Sequence, residues 1–431
     1  MARRAAPADP GWVHRVTDRD AADSFLVVTQ YFPPERGAAQ VRLGSITAEL
    51  ARRGHDVEVL TALPNYPTGR IFPGWSRRPV ASRDEDGVRV TRVWLWAAMG
   101  SGPGRLANYL SFGLMSVLGL VRSRPSRWVV VEYPTLFGAL PAVAWARLRR
   151  RRPVVIVADL WLDAIVGVGA LEEGRLVRSL RRLERWMLRR CDGVTAVTEG
   201  VRDAVLAKGV DPARLLWLPN GADTTMFSPG PPDPTVRRDH GLPEDHDLLV
   251  YAGTHGYVHG LDVVLDAADL LRDDAVTFVL VGGGSEKPAL VERARSLGLA
   301  NVRFLDPVAP EEVARLLRSS VAGLATVRPG DEYRAIRSAK AFPTMATGLP
   351  VLYSADDEGS RLVAGAGAGI VTAPGDGAAL ADAVRHLRAD PGAARVLGEA
   401  GRRWVEDHAS WRRLVGDWLD QLADLPAGGA R

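Results

Sequence analysis

Pro229-Gly230-Pro231-Pro232-Asp233-Pro234 is the stretch whose reading decides the fold. Its prolines fix φ and remove backbone donors, so neither a helix nor a strand can run through it, and it reads as a linker. The sequence on its two sides follows the same plan. Upstream, short apolar runs at 25–30, 56–61, 88–93, 128–132, 154–157, 194–197 and 215–218 read as strands. Helical stretches separate most of them; the first, 40–53, closes at Arg53-Gly54-His55 with a C′ glycine. Downstream of the Asn220-Gly221 turn and the linker, the pattern restarts at 248–251, 277–281, 302–305, 321–325, 350–353 and 369–371. Apolar strands alternating with helices predict parallel sheets covered on both faces. The chain is therefore expected to be α/β, with one Rossmann-like unit over 23–220 and a smaller one over 221–405. Residues 1–22 are polar, contain proline, lack an apolar secretory core and read as a flexible tail. The last helices carry Trp404, Trp411 and Trp418, an aromatic load that predicts packing against the body.

A length of 431 residues suits two domains of moderate size, and 46% hydrophobic with 25% charged residues is globular composition. The single cysteine, Cys191, excludes an internal disulfide and a cysteine-cluster metal site, and fits a reducing cytoplasm. The formal charge is only +4, yet arginines crowd positions 147–152 and 175–190. They suit acidic lipid headgroups or simply a solvated helix face. No aromatic residues interleave with them, which argues against a single-stranded nucleic acid partner. The apolar stretch 106–121 is shorter than a bilayer span and contains Asn108, Ser111 and Ser116, so it is expected to be a buried or interfacial helix.

Two such units would bring the carboxyl ends of both sheets around one crevice, where ligands of these folds bind. In the first unit, Tyr31 to Ala38 follows a strand, and Gly37 is small enough to let a helix start approach an anion. Asn65 and Tyr66 sit in a proline-stiffened loop after the second strand. Asp159-Leu160-Trp161 follows a later one; an acid and an indole suit a sugar's hydroxyls and its C–H face, although a helix cap beside a core tryptophan reads the same way. In the second unit, Gly253-Thr254-His255-Gly256 and Gly282-Gly283-Gly284 are glycine loops between strand and helix, apt for phosphate. Arg334, Arg337 and Lys340 cluster before another helix, an arrangement able to stabilise the charge that develops on a departing diphosphate.

Taken in order, YFPPERGAAQVR, RGHDVEVLTALPNYPTG, ADLW, VTAVTEG, LPNGADTTMF, YAGTHGYVHGLD, FVLVGGG and SAKAFPTMATGLPV resemble a family 4 retaining glycosyltransferase of GT-B fold, in the branch of capsule and O-antigen fucosamine-type transferases. The resemblance runs from about residue 25 to 418. It implies a C-terminal helix over 406–425 that crosses back to the first domain. It also implies a nucleotide-sugar donor in the second domain, with the base near Phe304 to Pro307, and a hydroxyl acceptor in the first, where Arg42 joins Asn65, Tyr66 and Trp161. Three positions depart from the pattern. Pro343 stands where many members have the ribose-binding glutamate, with Ala335 eight residues before it. Thr254 and His259 replace a basic pair, and Ala158 replaces a histidine. Lys340 is then expected to be the main diphosphate cation, with Arg334 or Arg337 assisting, and Glu358 in Asp356-Asp357-Glu358-Gly359 to take over a ribose or sugar contact. Asp159 is a candidate auxiliary base.

No zinc-type histidine spacing occurs, and the Asp18-Arg19-Asp20 and Asp84-Glu85-Asp86 strings do not end core strands, so no metal and no other cofactor is expected. The acceptor reads as either lipid-linked, at the cytoplasmic membrane face, or a soluble small molecule. The departures also motivate a non-catalytic GT-B-like binding protein as the alternative. A nicotinamide dehydrogenase is disfavoured, because no complete GxGxxG follows the first strand of either unit.

Overall fold

The structure, a computed structural model, describes residues 23–426 apart from Arg36, Pro67, Ser76, Arg77, Ser101, Pro134, Thr135, Trp161, 163–165 and 167–173. The tail 1–22 and Trp161 therefore lie outside the described residues. The first sheet contains β1 (Ser24–Val28), β2 (Asp56–Ala62), β3 (Val80–Glu85), β4 (Val88–Val93), β5 (Trp128–Glu132), β6 (Arg152–Val157), β7 (Gly193–Ala196) and β8 (Leu215–Trp217). Their spatial order is β3-β4-β2-β1-β5-β6-β7-β8, parallel except for β3. The central strands are fully buried apolar runs; Val27 pairs with Val59 on one side and Val130 on the other.

The edge strand β3 went unrecognised in the sequence because its residues (VASRDE) are polar and largely exposed. It pairs antiparallel with β4 through Asp86 and Gly87, both at positive φ (49° and 80°), the geometry of a tight hairpin turn. The Asp84-Glu85-Asp86 string thus belongs to a hairpin, away from the strand ends that face the crevice.

The second sheet has β9 (Asp247–Ala252), β10 (Val276–Val281), β11 (Val302–Leu305), β12 (Ala322–Thr326), β13 (Val351–Ser354) and β14 (Gly369–Thr372), all parallel, in the order β11-β10-β9-β12-β13-β14. Each sheet therefore has a point where the chain reverses its direction of winding, between β1 and β5 in the first and between β9 and β12 in the second. Loops diverge at such points and leave a crevice.

The terminal helix Trp411–Asp424 leaves the second unit and packs on the first. Trp418 is fully buried in a cluster with Phe25, Leu43 and Trp128, and its indole N–H donates to Thr195 Oγ1 (3.1 Å). Trp404 stays behind, stacked on Phe342 of the second unit. The crossover runs beside the interdomain linker. Ala222 N–H donates to the Ala409 carbonyl (2.9 Å) and Trp411 N–H to the Ala222 carbonyl (3.2 Å), while Gly221 lies so close that a Cβ would meet the Ala409 carbonyl. The two chain crossings form one joined hinge.

Candidate active site

The donor side is built on the carboxyl ends of β9 and β10. Gly253 N–H donates to the Val281 carbonyl (2.9 Å), His255 N–H to Gly283 (2.8 Å), and Glu286 N–H back to His255 (3.0 Å). The two glycine loops are thus cross-tied. Gly253, Gly282 and Gly284 have φ of 157°, 143° and 157°, and a Cβ on Gly282 would run into the Gly253 carbonyl. Only glycine fits there. Gly283 faces Pro307 across the end of β11, and Phe304 meets the His255 ring edge-on at 6.3 Å. Thr254 is exposed and Gly256 half-buried at the rim.

Lys340 lies under this loop. Its side chain packs against Gly253, and its ammonium sits 5.2 Å from the centre of the Tyr251 ring. Burial lowers its pKa to about 8, and among the described residues no carboxylate offsets that effect. The nearby histidines add no charge at neutral pH. Burial first, then Lys287 and Lys340, holds His255 down at about 4; burial, Lys340 and His255 hold His259 at about 3. Lys287, not singled out from the sequence, is spent on structure: its ammonium donates to the carbonyls of Gly282 (2.8 Å) and Leu305 (2.9 Å) and to Asp306 (2.8 Å). Among the described residues, Lys340 is therefore the cation at these loops with capacity for an anionic ligand.

Arg334 points outward, paired with Asp331 (2.9 Å) and Asp356 (3.5 Å). Arg337 is nearly buried, stacked 5.5 Å from Phe342, with its guanidinium 3.7 Å from Glu358. Glu358 itself reaches across the crevice. Its carboxylate accepts from Glu199 N–H (2.9 Å) at the start of the first-domain helix Glu199–Ala207. Where a ribose contact was expected, the structure shows the Glu358 carboxylate occupied by the opposing domain. A charged group at a helix start is a favourable electrostatic arrangement. Arg337 and Glu358 thus form an interdomain clasp; no sequence signal relates Glu358 to Glu199, 159 residues away.

On the facing wall, Gly37 precedes the helix Ala38–Arg52 at the end of β1. Arg42, expected to contact acceptor, is only 4% exposed; it donates to Glu132 (2.8 Å) and Asn220 (3.1 Å), and Glu132 also accepts from Thr29 Oγ1 (2.8 Å). The pair ties the first helix to β5 and to the interdomain linker, behind the wall surface. Asn65 is likewise fully buried. Its N–H and that of Tyr66 donate to Glu35 Oε1 (2.7 and 2.8 Å), and Phe32 N–H donates to Oε2 (3.2 Å). Glu35, missed in the sequence, is the organiser of both loops, and it holds the Tyr66 ring edge-on against Tyr31 at 5.7 Å. Tyr66 is half-buried. Asp159 reaches solvent at the end of β6, yet the protein crowded around it raises its carboxyl pKa. Among the described residues no cluster of three or more His, Cys, Asp or Glu side chains is arranged to hold a metal ion.

Known proteins resemble this chain in both of its domains. The glycosyl transferase 4-like domain family matches residues 37–221, and the glycosyl transferases group 1 family matches 246–390. WcaI of Escherichia coli K12, whose name assigns it provisionally to glycosyl transfer in colanic acid biosynthesis, is 28% identical over 319 residues, covering 71% of this chain and 77% of its own. A D-inositol 3-phosphate glycosyltransferase of Kineococcus radiotolerans is 27% identical, with 86% of each chain covered. Among solved structures, HepE of Anabaena in complex with UDP-glucose superposes with a TM-score of 0.67 at 16% identity, over 94% of this chain and all of that one. Two facing parallel-sheet domains and a returning C-terminal helix give this chain the GT-B fold, with a match to the glycosyl transferase 4-like domain in its first half and to glycosyl transferases group 1 in its second.

Proposed function

We propose that the protein transfers a sugar from a nucleoside-diphosphate sugar to a hydroxyl acceptor with retention of configuration and without a metal ion, in polysaccharide or glycoconjugate synthesis of the capsule and O-antigen fucosamine-type branch. The observation that carries the donor reading is Lys340, an ammonium with no acid partner among the described residues, beneath two cross-tied glycine loops at the switch point of the second sheet. In this reading the diphosphate lies over Gly253 to Gly256 and Gly282 to Gly283, and the base lies near Phe304 and Pro307. As the glycosidic C–O bond breaks, negative charge grows on the β-phosphate, and Lys340 stabilises that charge more than the ground state. Arg337, paired with Glu358 in the structure, is the assisting cation in this reading.

Retention follows from front-face attack: the acceptor oxygen approaches the side the phosphate leaves, and the phosphate takes the acceptor proton. Asp159, with its raised pKa, serves as an acceptor contact or auxiliary base at the mouth of the first domain. In this reading Tyr66 and Trp161 contact the acceptor, while Arg42, Asn65 and Glu35 hold the loops of the first domain in place. The similarity to WcaI supports a polysaccharide precursor, and the inositol phosphate glycosyltransferase keeps a soluble phosphorylated acceptor in view. The enzyme works in the cytoplasm, peripherally at the membrane when its acceptor is lipid-linked. A thermal-shift panel of nucleoside diphosphates, with and without magnesium, tests the reading. A ligand at 100 times its Kd stabilises by about 2.7 kcal/mol, so one base should stand out without magnesium. No response to any nucleotide would favour a non-catalytic binding protein.

A further inference from the structure

The helix Pro103–Arg122 is built inside out for a soluble protein. Its inward face carries Asn108 and Ser116 beside Phe112 and Leu120. Asn108 is fully buried, accepts from Gln30 Nε2 (2.6 Å) and donates to the Trp96 carbonyl (2.8 Å). Its outward face carries Leu106, Leu110, Leu114, Val117, Leu118 and Val121, all exposed, Leu114 by 74% and Val121 by 60%. These positions recur at three and four residues, so they form one stripe along the helix. Ordinary amphipathic helices turn this stripe inward; a contiguous apolar surface turned outward marks a docking site.

The surroundings say what docks. The helix packs on Leu136–Leu148, close enough that a Cβ on Gly113 would meet the Phe137 carbonyl, and that helix packs in turn on Arg175–Arg190. All three cover the same face of the first sheet. On Arg175–Arg190, Arg178, Arg182, Arg185 and Arg189 are exposed with Leu183 and Trp186, and its one acid, Glu184, is buried against Tyr133 and Lys208. An apolar stripe with an arginine field beside it matches an anionic bilayer, whose acyl region takes the leucines and whose headgroups take the guanidinium groups. Two copies packed stripe to stripe would leave each arginine helix without an acidic partner on this face.

We propose that the first domain docks on an anionic membrane through this three-helix face, the Pro103–Arg122 helix lying in the interface plane. Since its inward face is committed to the domain core, the helix lies along the bilayer and does not cross it. Its first turns adjoin the acceptor loops: the Arg105 guanidinium donates to Tyr109 Oη (2.7 Å) and lies 6.0 Å from the Tyr31 ring, which in turn touches Tyr66. Docking therefore sets the acceptor mouth at the headgroup level, where an acceptor with its lipid in the bilayer would arrive. That last consequence rests on the glycosyl-transfer reading; the docking itself does not.

Vesicle flotation of the full chain tests it, using phosphatidylcholine alone and phosphatidylcholine with 30% phosphatidylglycerol (about one anionic lipid in three, enough for a surface potential). The wild type should float with the anionic vesicles, and less so as salt rises. The double variant Leu114→Glu/Val121→Glu and the triple variant Arg178→Glu/Arg182→Glu/Arg185→Glu should each bind at least about tenfold more weakly. Both should keep the wild-type thermal response to nucleotide. Equal flotation of wild type and variants, or of neutral and anionic vesicles, overturns the proposal. So does a dimer in sedimentation that Leu114→Glu/Val121→Glu dissociates while the wild type ignores vesicles. Docking without any nucleotide response would leave this face assigned and remove the transferase reading instead.

Discussion

Replacing Lys340 with methionine keeps the bulk of the side chain and removes its charge, and its effect depends on pH in a way the structure specifies. With a pKa of about 8 in the free enzyme, the ammonium is about 90% protonated at pH 7 and about 10% at pH 9. A nucleoside-diphosphate sugar, whose two phosphates are both esterified, keeps the same charge across that range. The sign is therefore fixed: raising the pH through 8 neutralises the cation and leaves the ligand unchanged. If the protonated form binds donor, kcat/KM should fall about tenfold from pH 7 to 9, as the free-enzyme titration requires. Lys340→Met should lower kcat at pH 7 by 10²-fold or more, because a lost leaving-group contact costs about 2.7–4 kcal/mol. It should also flatten the profile between pH 7 and 9. Initial rates of nucleoside-diphosphate release at several pH values read both effects. A variant with near-normal turnover, or one that keeps the wild-type profile, would refute the placing of the diphosphate on Lys340.

Other perturbations probe the frame around that site. Gly282→Ala should abolish the nucleotide-induced thermal shift, because the new Cβ meets the Gly253 carbonyl and disturbs the hydrogen bonds between the glycine loops; an unchanged shift would show that the loops do not form the donor site. Glu358→Ala should leave nucleoside-diphosphate affinity within about threefold by calorimetry while enlarging the radius of gyration in solution scattering, since it releases the contact to Glu199. A tenfold or larger affinity loss without expansion would return Glu358 to the ribose. Trp418→Ala should cost about 3–5 kcal/mol of stability in chemical denaturation, as for other large buried aromatics, and a loss under 1 kcal/mol would contradict the docking of the returning helix.

What the sequence disclosed and what it concealed divide along a physical line. The core strands were legible because buried parallel strands need continuous apolar runs, and the proline break separates the two sets. The glycine loops were legible because close backbone approach restricts residue type locally. The polar edge strand β3 was not, since an exposed edge imposes no apolar pattern. Glu35, the Arg42–Glu132 pair and the contact of Glu358 with Glu199 were missed for a different reason. Their partners lie 30, 90 and 159 residues away, so only the folded chain brings them together. The inverted helix Pro103–Arg122 shows the same limit: its apolar content was plain, but the direction in which its leucines point was not.

The central claim, sugar transfer from a nucleotide donor held at the glycine loops and Lys340, is tested most directly by one assay. The purified chain is incubated without added metal with a panel of nucleoside-diphosphate sugars, and the release of nucleoside diphosphate is followed for wild type and Lys340→Met side by side. The wild type should release nucleoside diphosphate from one donor class, and the variant should do so at a rate lower by about 10²-fold or more. Equal rates in the two proteins, or no release from any donor while a nucleoside diphosphate binds, would contradict it.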